Sequence, residues 1–286
     1  MPRLVENCVV VGTGLIGASF AGALRVSGVV GRVCGIGRGS ANLGEALTAG
    51  LVDEVSTELG PSLSSADFVL LAVPVDTALE LLPTVASLIP DRCVVSDVGS
   101  VKSPIVERAE KLGVGARFVG GHPLAGSEQS GAGAACVDLF KNKATVLTPS
   151  KTTDQSATEL VAGLWKAAGA RVFEMEAGEH DRLLALSSHL PQMLAFNLAA
   201  TTDDVGSSTE FSAVAGRGFS DMTRLALSDQ DMWAGVMRLN RSNLLAAMDA
   251  FSLHWTRLRD AIESSDEKMQ HEIMSRARRQ RRRLDR

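Results

Sequence analysis

Short, almost wholly apolar runs recur through the first half of the chain: CVVVG (8–12), RVCGI (32–36), DFVLLAV (67–73), CVVSDV (93–98), RFVGG (117–121), ATVLT (144–148) and ARVFEM (170–175). Longer segments with helical character separate them. Strands that lack polar alternation are buried on both faces, so the pattern predicts a doubly wound α/β fold with a mostly parallel sheet and helices on each side. Beyond Glu176 the pattern changes, and Leu, Ala and Met recur at helical spacing, as in RLLALSSHLPQMLAFNLAA (182–200) and DMWAGVMRLNRSNLLAAMDAFSLHWTRLRDAI (231–262). The expected organisation is an α/β domain over residues 1–176 and an all-helical domain over 177–286. Helices this apolar, with few other elements to cover them, predict a homodimer formed through the second domain.

Composition narrows the partners. A net charge of −4, a pI near 5.8 and the absence of Tyr argue against a general nucleic-acid binder, leaving a small molecule as the expected ligand. Cys8, Cys34, Cys93 and Cys136 show no C-x-x-C spacing and read as buried apolar side chains in a reducing compartment. The N-terminal MPRLVENCVVVGTG enters a strand directly, without the regions of a secretory signal, and no apolar run is long enough to span a membrane. A soluble cytoplasmic protein is expected. The basic end, SRARRQRRRLDR (275–286), reads as a solvated helix end, with an anion-binding or partner-binding tail as the alternative.

VVVGTGLIGASF places Gly12, Gly14 and Gly17 in G-x-G-x-x-G, directly after a strand and opening an Ala-rich helix. That context marks a dinucleotide-binding, Rossmann-type turn, in which Gly12 allows the turn, Gly14 lets a pyrophosphate approach, and Gly17 lets helix and strand pack closely. Leu15 and Ile16 complete the loop at the helix N-terminus that faces the negative charge. The second strand ends in GIGRGS (35–40), where an NAD site would place Asp or Glu. With Gly37 there, followed by Arg38 and Ser40, a 2′-phosphate meets a guanidinium and a hydroxyl in place of a carboxylate. NADP is therefore favoured over NAD, the alternative being that Arg38 is a surface arginine. Val73 and Pro74, in AVPVD after the third strand, are expected to line the nicotinamide side.

The loops after the fourth and fifth runs carry SDVGSVKSP (96–104) and GGHPLAGSEQSG (120–131), and they emerge at the carboxyl edge of the sheet, where such folds bind ligands. Hydride transfer from a carbinol carbon needs a base for the hydroxyl proton, and a neutral imidazole, His122 on its glycine-rich loop, suits that role. Ser100 can hydrogen-bond both the histidine and a substrate hydroxyl; equally, it can cap the helix that begins at SPIVERAEKL. His189 reads as a core histidine and Arg224 as a surface ion-pair partner on residue pattern alone. No metal site is expected.

Together G-x-G-x-x-G, SDVGSVK, GGHPLAGSEQSG, HDRLLALSSHLPQ (180–192) and GRGFSDMTRLALSDQDMW (216–233) resemble the prephenate dehydrogenases and the related arogenate, or cyclohexadienyl, dehydrogenases of tyrosine biosynthesis, from about residue 7 to residue 245. The resemblance implies oxidative decarboxylation of a cyclohexadienyl substrate to 4-hydroxyphenylpyruvate or tyrosine, with hydride passing to NADP or NAD. It implies His122 as the base with Ser100 as its partner, His189 as a substrate-binding residue, and Arg224 as the grip on the ring carboxylate. Ser127 and Glu128 border the pocket, Glu128 being equally readable as a solvated loop acid. Gly216 and Gly218 allow close approach to the substrate side chain, or merely break a helix. Arg217 between them departs from a more glycine-rich version of the motif.

Two other readings compete. A dehydrogenase of the β-hydroxyacid type would rely on a lysine in the helical domain, yet none occurs between Lys166 and Lys268. A non-catalytic NADP-binding sensor would keep the glycine fingerprint and lose the proton-transfer residues, which this chain retains.

Overall fold

The computed structural model describes residues 2–126, 129, 131–205 and 209–284. Ser127 and Glu128, two of the expected pocket residues, lie outside the described residues.

All seven apolar runs form strands, joined by one short strand that the apolar pattern missed: β1 (Val5–Val11), β2 (Val30–Ile36), β3 (Glu54–Ser56), β4 (Phe68–Leu71), β5 (Val94–Asp97), β6 (Phe118–Pro123), β7 (Ala144–Thr148) and β8 (Arg171–Glu174). They make one eight-stranded sheet in the order β3-β2-β1-β4-β5-β6-β7-β8. The first six strands are parallel and follow the dinucleotide-binding order, whose direction reverses between β1 and β4. β7 is antiparallel to β6, and β8 is parallel to β7. A parallel neighbour needs a long crossover, usually a helix. Between Pro123 and Ala144 the described chain forms only a 3₁₀ turn, Ala132–Ala134, so β7 returns alongside β6 in the opposite direction.

Helices α1 (Leu15–Ser27), α2 (Ser40–Thr48), α3 (Gly60–Leu63), α4 (Val75–Leu88), α5 (Ser103–Lys111) and α6 (Gln155–Ala167) connect these strands. They divide the core in two, because successive strand residues face opposite sides of a sheet. Cys8 and Val10 join Phe20, Phe140 and Trp165 on one side, whereas Val9 and Val11 join Leu82, Val85 and Ile105 on the other. Trp165 anchors the first side, its ring centroid 4.5 Å from that of Phe20 and 5.1 Å from that of Phe140. Cys8, Cys34 and Cys93 are buried as expected, but Cys136 is exposed, because it follows the 3₁₀ turn at the surface and not a strand. Among the described residues, no helix is long and apolar enough to cross a membrane.

After β8 only helices follow among the described residues: α7 (Ala177–Leu184), α8 (Leu190–Val205), α9 (Thr209–Val214), α10 (Arg217–Thr223), α11 (Gln230–Leu239), α12 (Arg241–Glu263) and α13 (Glu267–Leu284). The chain forms two compact units, residues 1–240 and 241–286. In the first, α7 packs on α5 and β7, and α11 on α4. In the second, α12 and α13 form a hairpin that turns at Ser265, whose φ is 54°. The exposed arginines 276, 278, 279, 281, 282 and 283 lie along the end of α13.

Candidate active site

The carboxyl ends of β1, β4 and β5 are in register, Val11 pairing with Leu71 and Leu71 with Asp97. The turns that follow therefore share one edge. Gly12 adopts φ +103°, and a Cβ there would strike Ala72 and Val73; a Cβ on Gly17 would strike the Gly12 carbonyl. Both glycines are required by close packing, and the first seats the fingerprint turn against the loop of Val73 and Pro74. Gly14 is different: nothing lies within 4 Å of an added Cβ. It begins α1 without a side-chain cap, leaving backbone N–H groups at a partly open helix N-terminus with Leu15 and Ile16. These features fit a dinucleotide pyrophosphate. Arg38 and Ser40 are exposed around the start of α2, with Gly37 packed against Leu43 and Thr13.

His122 occupies a strand, in contrast to the flexible loop that its glycine neighbours predict. Antiparallel pairing with β7 sets His122 opposite Val146 and extends β6 past the end of β5. The glycines before it serve packing, since a Cβ on Gly121 would strike the Asp97 carbonyl and one on Gly120 the Thr148 hydroxyl. A buried ion pair holds this junction. Lys102 Nζ donates to Asp97 Oδ2 and, at 2.8 Å, to the Gly121 carbonyl. Asp97 also accepts from Gly99 N–H (2.8 Å) and Gly121 N–H (3.1 Å), and neither charged side chain is exposed.

The helical segment closes the site from the other side. Asp181 accepts the backbone N–H groups of Lys102 (2.7 Å) and Ser103 (2.8 Å), capping α5. It also accepts from His180 Nδ1 at 2.8 Å, and His180 Nε2 lies 2.8 Å from His122 Nδ1. Between α7 and α8 the chain widens into a π-helical turn, Ala185–His189, with Leu190 N–H bonded to the Ala185 carbonyl. Pro191 lacks the N–H that an α-helix would send to Ser187, and the wider turn accommodates that loss. The turn places His189 in the interior, its ring centroid 5.9 Å from that of Trp233 on α11.

Asn240 links these parts. Its Nδ2 donates to the Asp181 carbonyl at 2.8 Å and lies 3.1 Å from His189 Nδ1. An amide NH₂ that serves a carbonyl makes His189 Nδ1 the acceptor, so the proton of a neutral His189 sits on Nε2. The Ser100 backbone draws this ring toward the charged form, but among the described residues Nε2 has no hydrogen-bond partner. The 231–262 apolar run is accordingly two helices, divided at Asn240, whose side chain is used inward.

Electrostatics keep His122 and His189 uncharged. Burial, reinforced by His180, Lys102 and His189, holds His122 well below its ordinary pKa. Burial also lowers His189, to about 4, against the opposing pull of Asp181. Burial works against ionisation of Asp181, yet its bonds from His180, Ser103 and Lys102 hold it below the usual carboxylate range. Lys102 is lowered by burial, with Asp97 and Asp181 acting in the other direction.

The structure thus brings together His122, His189 and the backbone of Ser100 from the expected set. Ser100 is half-buried, makes no side-chain hydrogen bond to His122, and is not the cap of α5; Lys102 occupies that position and Asp181 supplies the acceptors. Arg224 is exposed at the start of a 3₁₀ turn, Arg224–Leu227, which Gln192 of α8 ties down through the Leu225 carbonyl at 2.6 Å. Gly216 begins α10 and Gly218 lies within it, both with open space where a Cβ would stand. His180, Asp181, Asn240 and Trp233 escaped the residue-by-residue reading. The first two were visible as the HD that opens HDRLLALSSHLPQ; nothing local marks Asn240. Among the described residues no cluster of His, Cys, Asp and Glu could hold a metal ion.

Comparison with known proteins adds an independent line. A family model described as prephenate dehydrogenase, nucleotide-binding domain, matches residues 20–174, and one described as prephenate dehydrogenase, dimerization domain, matches 176–276. A prephenate dehydrogenase of Bacillus subtilis (strain 168) is 33% identical over 271 residues, 93% of this chain and 72% of the relative. The crystal structure of prephenate dehydrogenase from A. aeolicus, in complex with hydroxyphenyl propionate and NAD+, superposes with a TM-score of 0.91 at 34% identity, covering 98% of each chain. Synechocystis arogenate dehydrogenase superposes with a TM-score of 0.84 at 28% identity, over 98% of this chain and 100% of that one.

Proposed function

This chain belongs to the prephenate dehydrogenase family, and from that premise we propose that it oxidatively decarboxylates prephenate or arogenate, using NADP in preference to NAD. The observation that carries the proposal is His122: a buried imidazole kept uncharged, held on a strand at the same sheet edge as the nucleotide-binding turn. A nicotinamide bound at the glycine-rich turn would supply the acceptor for the hydride that leaves the ring carbon. His122 takes the hydroxyl proton through Nε2 as the C–O bond becomes a carbonyl. The bond to the ring carboxylate then breaks, its electron pair enters the ring, CO2 leaves, and the resulting phenolate oxygen regains the proton. Aromatisation supplies the driving force, and no metal is required.

Other residues bind and orient. His189 offers a buried Nε2–H donor to the substrate, Arg224 a bidentate guanidinium to its ring carboxylate, and Ser100 a hydroxyl beside the reacting oxygen. Gly216 and Gly218 border the side chain. Gly12, Gly14, Leu15, Ile16 and Gly17 hold the pyrophosphate, with Val73 and Pro74 beside the nicotinamide. Arg38 and Ser40 take a 2′-phosphate, supported by the absence of any carboxylate at Gly37. The NAD+ in the A. aeolicus complex belongs to that relative; here the residues after β2 favour NADP.

The helical segment from 177 onward is the substrate-binding and dimerisation domain of a cytoplasmic homodimer. The family's dimerization-domain match and large exposed side chains such as Val214 (78%), Leu227 (84%) and Trp255 (61%) support that reading.

The test is the initial rate of NADP and of NAD reduction with prephenate and with arogenate, four assays on one preparation. Turnover with either substrate, faster with NADP, is expected. Absence of turnover in all four by folded protein that binds NADP would overturn the assignment.

A further inference from the structure

We infer that His180 and Asp181 are positioning residues that hold His122 in the tautomer able to act as a base, with its proton on Nδ1 and its lone pair on Nε2. The inference rests on the reading of His122 as the base and adds what prepares it.

The three side chains form a buried line, in which Asp181 Oδ1 lies 2.8 Å from His180 Nδ1 and His180 Nε2 lies 2.8 Å from His122 Nδ1. An ionised carboxylate only accepts hydrogen bonds, so His180 must carry its proton on Nδ1. A single-proton His180 then presents a lone pair at Nε2, and His122 must donate to it from Nδ1. The opposite tautomer of His122 would set two lone pairs against each other inside the protein. One end of the line is fixed because Asp181 is bound three further ways: to Lys102 N–H, to Ser103 N–H and, through its carbonyl, to Asn240. The carboxylate therefore has no freedom to rotate and release the order.

The same line serves the proton transfer. When His122 gains a proton at Nε2 it becomes cationic, and the charges around it come from three directions. The residues after β5 contribute the Lys102 ammonium, the turn before α8 contributes the neutral His189, and α7 contributes His180 backed by the Asp181 carboxylate. The Lys102 ammonium is itself paired with the Asp97 carboxylate, so the Asp181 carboxylate is the negative charge that reaches the ring along the hydrogen-bonded line. His180 is a positioning residue here: it passes the orientation imposed by Asp181 to His122 and need not exchange its own proton.

The test reads the tautomer directly, by ¹⁵N NMR of histidine-labelled full-length protein without substrate at neutral pH. The wild type is expected to show His122 with a protonated Nδ1 and an unprotonated Nε2. His180→Ala should give a tautomer mixture and lower kcat for prephenate by at least about tenfold with KM unchanged. His180→Gln, whose amide can accept from His122 and donate to Asp181, should restore both readouts in large part. Asp181→Asn retains an acceptor for the start of α5 and provides a second route should His180→Ala fail to fold; it should turn His180 over and move the His122 proton to Nε2. An Nε2–H tautomer in the wild type, or an unchanged tautomer and kcat in the folded variants, would overturn the inference. The expected tautomer in a protein that turns over no cyclohexadienyl substrate would leave the inference standing and sink the enzymatic reading instead.

Discussion

The backbone N–H of Lys102 donates to the Asp181 carboxylate at 2.7 Å across 79 positions of sequence. The lysine opens the helix after β5, and the aspartate belongs to the first helix beyond the sheet. One bond thus joins the nucleotide-binding layer to the helical segment at the level of His122. The Lys102 side chain turns the other way, to Asp97 and the Gly121 carbonyl, so one residue braces the imidazole's strand while its backbone receives the carboxylate behind His180.

The Lys102–Asp97 pair is fully buried, and breaking such a pair leaves an uncompensated charge. Lys102→Met preserves much of the volume but strands the Asp97 carboxylate, and should cost about 3–5 kcal/mol of stability. Urea unfolding monitored by circular dichroism checks this; an unchanged midpoint and slope would show that Asp97 does not need its counter-charge.

Stability should fall on mild acidification. His189 is held at about 4, and His122 also lies below the ordinary 6.5. Between these limits the unfolded chain binds protons that the folded protein refuses. Acidification from about 6.5 toward 4 therefore favours unfolding, and the loss levels off for His189 only once the folded ring also protonates. The lowered carboxyl of Asp181 acts in the same direction at still lower pH, as its hydrogen-bonded anion is lost. Thermal unfolding at a series of pH values should show a declining Tm below 6.5, which a flat profile over that window would contradict.

The proposed preference for NADP rests on Arg38. A hydrogen bond to a charged group contributes about 1.5–3 kcal/mol, so Arg38→Ala should weaken NADP binding by roughly 10-fold or more and leave NAD nearly unaffected. Fluorescence titration with both nucleotides measures the ratio. Equal effects on the two would return Arg38 to the role of a surface residue.

Much of the fold was legible because parallel strands buried on both faces announce themselves as unbroken apolar runs. β3 escaped because Glu54–Ser56 is short, polar and at the sheet edge. The antiparallel turn into β7 escaped because strand direction depends on what the connection contains, which the strand's own residues do not encode. His122 lies on a strand and not on a flexible loop: the glycines beside it, which suggest flexibility, are small to admit Asp97 and Thr148. Asn240 was hidden inside an apolar helical run, since a buried amide is recognised only once its distant partners, Asp181 and His189, are in place. The candidate site is hardest to read where it is assembled by contacts across many tens of residues.

The proposed removal of the hydroxyl proton by His122 is tested by kcat/KM for prephenate in wild type and His122→Ala, alongside NADP affinity for both. His122→Ala should lower turnover by about 10²–10⁴ with NADP binding intact. Near-normal turnover by the variant would contradict it and move the base elsewhere in the site.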